Sequence, residues 1–386
     1  MYVNLSEEDN ITRYPALDQM TDNPFHLWED HSKGSFLPSG IWSDEQFYII
    51  SLFMNFTSQI INNCAIIANS LSIAVFVKLG FSEISNISLT TLAVCDFTMA
   101  VLYTWGNLCF WLTYLKVRLP FHSANVSYFI GGAQWTFLST TVAWITAFIS
   151  FERCLCILVP LKVRRFITPR VTFVAMLIII LLTFCPSFFL YIRYKFVWVF
   201  SPYLNRTILN TIPVNNELAI LFEKISFAIC GVIQPLLAFS IVLICTLLLV
   251  VQLRKISSWR MSVTSPKSQQ VQPAENPAKG SSTAEARISK KEERLVRMFV
   301  AIATIFIVSY IPTCIGILCS VIFDEFNMFN VYKRLFIVSS YILSLGQPIS
   351  GSVNILIYYK MASKFRLIFR RLVRLDRQTQ ERHELQ

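Results

Sequence analysis

Seven stretches, each more than 20 residues long and almost free of charge, alternate along this chain with polar, charged connectors. They run roughly from Phe47 to Val77, Ile84 to Leu115, Leu119 to Phe151, Val171 to Ile192, Ile225 to Leu253, Met298 to Phe323 and Leu335 to Tyr359. A helix rises about 1.5 Å per residue, so about 20 apolar residues cross the hydrocarbon of a bilayer. Backbone amides find no water there and must pair within each helix. The pattern predicts an all-α membrane protein, a bundle of seven transmembrane helices. Charged residues make up only 15% of the chain, against roughly 25% in soluble globules, which supports the same reading.

Orientation follows from lysine and arginine, which stay cytoplasmic. With the N-terminus outside, the inner connectors and tail hold 24 of the 34 basic residues. The first 46 residues carry nine acids against Arg13 and Lys33. Four asparagine triplets for glycosylation fall on the outer side: Asn4-Leu-Ser, Asn10-Ile-Thr, Asn125-Val-Ser and Asn205-Arg-Thr. The expected organisation is an extracellular glycosylated segment over 1–46, a membrane domain over 47–359 and a cytoplasmic tail over 360–386. Residues 1–46 contain no apolar core ahead of a cleavage site, so the first membrane helix is expected to direct insertion. The net charge of +11 is thus a topological signature, and no nucleic-acid partner is expected.

In the tail, Phe365, Ile368, Phe369 and Leu372 recur at helical spacing among Arg366, Arg370, Arg371 and Arg374. Such a short amphipathic eighth helix lies in the membrane interface, held by anionic lipids. The inner connector over 254–289 is rich in Ser, Gln, Pro, Ala and Lys and is expected to be disordered. All ten cysteines fall in or beside the apolar segments, and Cys154-Leu-Cys156 is too tight for a zinc pair. No metal site and no cofactor are expected.

Polar groups inside membrane helices are costly and tend to be functional. Asn69, Asp96 and Asn354 stand out, Asp96 being the only acid of its span. Glu152-Arg153-Cys154 closes the third segment on its cytoplasmic side. Adjacent Glu152 and Arg153 can form an ion pair that is broken and remade, as a switch requires. Glu292, at the inner start of the sixth segment, offers a second carboxylate.

In this order and spacing the chain resembles rhodopsin-like (class A) G-protein-coupled receptors, over about residues 47–372. Asn69 matches the asparagine of the first helix, and Leu92-Ala-Val-Cys-Asp96 the motif of the second. Glu152-Arg153-Cys154 stands at the acid-arginine-aromatic motif, with cysteine for the aromatic. Pro235 fits the fifth-helix proline. Phe306, Tyr310 and Pro312 resemble the sixth-helix switch, with tyrosine for tryptophan. Asn354-Ile-Leu-Ile-Tyr358 corresponds to the seventh-helix motif. The run from Ser352 to Arg366 is similar to that of molluscan and other invertebrate peptide-type or chemosensory-type receptors.

The resemblance implies a plasma-membrane receptor that is not an enzyme. It binds an extracellular ligand in the outer half of the bundle and activates a heterotrimeric G protein at the inner face. It implies Arg153 held by Glu152 and Glu292 in a closed form, with Tyr358 supporting the freed arginine in the open one. Asp96 would be the acid of a sodium site, yet Val142 stands where a hydroxyl commonly completes it. The family disulfide between the third helix and the second outer loop is excluded, because Tyr128 takes the cysteine's place and the loop has none. In the seventh helix Ile355 replaces the motif proline, and a kink is expected two turns outward at Pro348.

Trp135 occupies the position where amine receptors carry an aspartate, which argues against amines. Gln134, Trp135, Ser139, Tyr310, Thr313, Ser344 and Gln347 are the pocket candidates, with bundle packing the plain alternative for Trp135 and Tyr310. Lys116, Arg118, Arg193 and Lys195 make the outer rim basic. A peptide is the first expectation and a small chemosensory molecule the second. Hydroxyls cluster in the third inner connector, from Ser257 to Ser289, where a receptor kinase could add phosphate and recruit arrestin. A channel or transporter would need paired half-helices or several intramembrane charges, and only Asp96 qualifies.

Overall fold

The structure, a computed structural model, describes residues 42–115, 117–159, 166–201, 205–214, 216–264, 279–323, 325–326 and 332–383. Helices dominate: α1 Asp44–Leu79, α2 Ile84–Tyr114, α3 Ser123–Ser127, α4 Ala133–Leu158, α5 Pro169–Phe184, α6 Phe188–Arg193, α7 Glu217–Ser226, α8 Gln234–Thr264, α9 Lys279–Ile322, α10 Lys333–Ser344, α11 Gly346–Met361 and α12 Ser363–His383. Five helical runs among the described residues are long and apolar enough to cross a membrane: Glu45–Leu79, Ile84–Tyr114, Asn125–Leu158, Glu217–Lys255 and Glu293–Ile322. The fourth and seventh apolar segments are broken helices.

Proline accounts for most of the breaks, because it cannot donate to the carbonyl four residues back. Pro186 sits in a 3-10 turn, Cys185–Ser187, that separates α5 from α6. A π-helical stretch, Phe227–Ile233, precedes Pro235 near the start of α8. Pro348 leaves the Ser344 carbonyl without its helical donor, and the seventh segment breaks at Leu345 rather than at the proline itself. Pro312, by contrast, lies within the continuous α9.

Helix α1 shows how polar residues are accommodated at lipid depth. Ser51, Asn55, Ser58, Asn62, Asn69 and Ser72 are all buried on one face. Each asparagine amide donates to the carbonyl four residues back, Asn55 to Ser51 at 2.9 Å, Asn62 to Ser58 at 2.7 Å and Asn69 to Ala65 at 2.9 Å. The helix thereby satisfies a donor of each of these amides from its own backbone, while the Ser51 hydroxyl has no partner among the described residues. Across the seam Asn107 of α2 donates to the Ser58 hydroxyl at 3.0 Å.

The all-α expectation needs a correction on the outer face. Tyr194–Ser201 (β1) and Arg206–Pro213 (β2) form an antiparallel hairpin, paired from Tyr194–Pro213 to Ser201–Arg206. Alternating aromatic and β-branched residues, Tyr194, Phe196, Val197, Trp198 and Val199, suit a pleated strand better than a coil. The connector over 254–289 is also more helical than expected. Backbone helix runs to Thr264 and resumes at Lys279, with 265–278 outside the described residues.

Candidate functional site

The hairpin is seated without a disulfide, and all ten cysteines are free thiols. Backbone pairing does part of the work: His122 donates to the Leu209 carbonyl at 2.7 Å and Leu209 to Pro120 at 2.9 Å. Arg206 donates to the Leu119 carbonyl. At the other end Arg193 and Tyr194 both bond Glu223, at 2.9 and 2.8 Å. Aromatic packing supplies the rest. Phe129, one residue after the position lacking the cysteine, meets Tyr191 and Phe196 edge to face at 4.7 and 4.8 Å. Such pairs contribute about 0.5–1.5 kcal/mol each beyond their buried area.

His122 is a weak point in this seat. It is 8% exposed, its Nδ1 accepts from the Asn125 amide at 3.4 Å, and Nε2 has no partner among the described residues. Burial pushes its pKa down to about 4. The folded state therefore resists a proton that the unfolded state takes up near pH 6.5. Stability from the neutral imidazole is fully present above that pH and is lost as pH falls toward 4, by about 3 kcal/mol in all. Thermal unfolding of the purified protein should follow this slope. A His122→Asn variant, which keeps an acceptor but cannot titrate, should flatten it.

Inside the outer half, the polar candidates form separate pairs across the bundle. Gln347 donates to the Ser139 hydroxyl at 2.7 Å, and its Oε1 has no partner among the described residues. Tyr103 and Ser344 share a hydrogen bond at 2.8 Å, and Tyr103 meets Trp135 edge to face at 5.9 Å. The Trp135 and Trp105 indole nitrogens and the Gln234 carbonyl are likewise buried without partners among the described residues. Unmet donors and acceptors of this kind are expensive unless water or a ligand answers them. Gln134 reaches instead to Tyr191, and Thr313 donates to the Leu343 carbonyl at 3.4 Å, so these two serve packing between helices.

Below lies a small cavity lined by Asp96, Val142, Thr146, Phe306, Tyr310, Gln347, Ser350 and Asn354, among others, with about 10 Å³ of free space, room for about one water. Gly351 makes this arrangement fit. A Cβ there would lie 3.1 Å from the Asp96 carboxyl carbon and 3.3 Å from the Asn69 amide nitrogen. Phe306 stacks on Tyr310 at 5.0 Å, and Tyr310 is 2% exposed at the cavity's upper wall.

At the inner end the expected ion pair is present. Arg153 Nη2 lies 2.5 Å from Glu152 Oε1 and donates to the Ser85 hydroxyl at 3.1 Å. Its guanidinium sits 4.5 Å from the centre of the Phe299 ring on α9. Glu152 Oε2 and Arg153 Nε remain without partners among the described residues. A buried pair so incompletely satisfied is a weak stabiliser, hence easily exchanged for another arrangement. Arg294 of α9 donates to the Lys360 carbonyl at 3.0 Å, tying α9 to the last turn of α11. Tyr358 is fully buried and packs on Phe76 and Phe365 at 5.2 and 5.5 Å, which seats α12 against α1.

The structure thus brings Asn69, Asp96 and Asn354 to one core, and Glu152 and Arg153 to one pair. Asn4, Asn10 and the Glu292 side chain lie outside the described residues. Sequence reading passed over Tyr103, Phe129, Ser85 and Phe299. Tyr103 was within reach, standing two helical turns beyond Asp96 on the same face. Partners across helices, such as Phe299 for Arg153, carry no local signal.

The model of the seven-transmembrane receptor (rhodopsin) family matches residues 68–349, nearly three-quarters of the chain. The chain belongs to the rhodopsin family of seven-transmembrane receptors. Membership makes this a membrane receptor of the G-protein signalling class, and a channel or transporter is not favoured. The match takes in Asn69, Asp96, the Glu152–Arg153 pair and Pro312, and ends before Asn354. A search of curated proteins found no match.

Proposed function

We propose that this rhodopsin-family receptor binds an extracellular peptide beneath the β1–β2 hairpin and activates a heterotrimeric G protein at its inner face. One observation carries the reading. Unpartnered polar groups in the outer half and an incompletely satisfied ion pair at the inner end are joined through one packed core. A ligand that answers the outer groups in only one arrangement of α9 shifts the population of the inner pair. The outer face is the extracellular one in this reading, and anionic lipid holds the amphipathic α12 at the cytoplasmic surface.

Peptide is favoured over a small chemosensory molecule by the open aromatic hairpin and the exposed rim cations Arg118 and Lys195. Arg193 is occupied by Glu223 and leaves that set. Val142 brings no side-chain oxygen to the cavity beside Asp96, although Thr146, Ser350 and Asn354 line it.

Peptide and small-molecule libraries, screened in reporter cells with a promiscuous G protein, test the reading. For the agonist found, Gln347→Leu should lower potency at least tenfold, about 1.4 kcal/mol. Arg118→Glu with Lys195→Glu should do so for a peptide alone. Agonism by small molecules only, indifferent to the rim reversals, would transfer the proposal to the chemosensory class.

A further inference from the structure

The two described glycosylation triplets occupy very different positions. Asn205 stands at the tip of the hairpin, just before β2, exposed, with φ of 45°. It is the sole non-glycine residue in the left-handed region among the described residues, a conformation that asparagine tolerates at turns. It stands twelve positions after Arg193, the end of α6, and twelve before Glu217, the start of α7. Arg206 beside it donates to the Leu119 carbonyl, so the tip lies along the connector ahead of α3 while the Asn205 side chain stays exposed. Thr207, which completes its triplet, is exposed as well.

Asn125 is exposed but committed. It lies in α3 at the first residue of a membrane-length helical run, next to Val126, which is 3% exposed. Its Nδ2 donates to Asn210 Oδ1 of β2 at 3.0 Å. That nitrogen is the atom a glycan would occupy, and a sugar there would wedge β2 away from the Pro120–His122 segment it pairs with.

We propose that Asn205 is the N-glycosylated residue of the outer loops and that Asn125 remains unmodified. In the transfer, the bond between the first sugar's anomeric carbon and the diphosphate of a lipid-linked oligosaccharide breaks. A carbon–nitrogen bond forms to Asn205 Nδ2, which gives up one proton, and the lipid diphosphate leaves. The glycan then crowns the hairpin without touching its seat on Phe129 and His122. The inference depends on the outer face being extracellular, but not on the ligand or on coupling.

The test uses the full chain expressed in glycosylating cells, with gel mobility read before and after peptide N-glycosidase. Asn205→Gln and Thr207→Val should each lose one glycan step, Thr207→Ser should keep it, and Asn125→Gln should run as the parent. A step lost with Asn125→Gln, or none lost with Asn205→Gln while the chain still shifts on digestion, overturns the assignment and leaves the orientation intact. No shift on digestion in any form, the Asn4 and Asn10 triplets included, overturns both.

Discussion

Arg153→Ala should abolish G-protein activation while leaving the receptor at the cell surface. Agonist-stimulated signal should fall to the level of cells lacking the receptor. The guanidinium is buried at the inner end of α4, between α2 and α9, held by one carboxylate oxygen, the Ser85 hydroxyl and the Phe299 ring. None of these holds it so firmly that exchange for another partner is costly, since Arg153 Nε and Glu152 Oε2 are unmet. Alanine removes the group that would meet the G protein and leaves the buried Glu152 carboxyl unpaired, and a carboxyl so placed takes up a proton rather than stay charged. Folding should therefore survive. The companion change has the opposite sign: Glu292→Ala should raise ligand-independent signalling by withdrawing a second carboxylate from the closed form. Second-messenger assays normalised to surface antibody binding decide both, and unchanged basal and stimulated responses in the two variants would reject the switch.

Gly346→Ala should be the most damaging single-methyl change in the described chain. A Cβ at this position would lie 2.3 Å from the Ser309 carbonyl oxygen of α9 and 3.2 Å from its carbon. Backbone cannot step aside as a side-chain tip can, so α9 and α11 must separate where they pack most closely. An alanine in a helix is ordinarily favoured over glycine by about 1 kcal/mol, yet here the overlap sets the sign. A loss on the order of 2–4 kcal/mol is expected, read as a lower thermal midpoint in detergent and reduced surface delivery. Gly106→Ala is the matched control: nothing lies within 4 Å of its added Cβ. If both variants melted alike, the close approach of α9 to α11 would not govern stability.

The broken seventh segment shows how far local reading goes. Pro348 announces a disturbance in α11, and the break falls three residues earlier, at Leu345. Proline deprives the carbonyl four residues back, so its effect appears upstream. The third segment behaves likewise, with a π-helical stretch at Tyr128–Gly132 that no proline marks and that sets Phe129 toward the hairpin. In the first segment Asn69 draws notice through its motif, while Asn55 and Asn62 repeat it at seven-residue intervals. Their role is visible only once their amides are seen closing on their own helix.

Apolar length, basic asymmetry and motif order by themselves determined the membrane character and the family, along with the adjacency of Glu152 and Arg153. These properties are carried by composition and spacing along one strand of chain, and bilayer physics leaves few ways to satisfy them. The tertiary structure alone decided that a β-hairpin clasped by Pro120, His122, Phe129 and Glu223 replaces the missing disulfide. It alone decided that Gly351 admits the Asp96 carboxyl beside Asn69, and that Phe299 and Ser85 hold Arg153. Such pairings join residues tens to hundreds of positions apart, and their energy exists only after helix packing has brought the surfaces together.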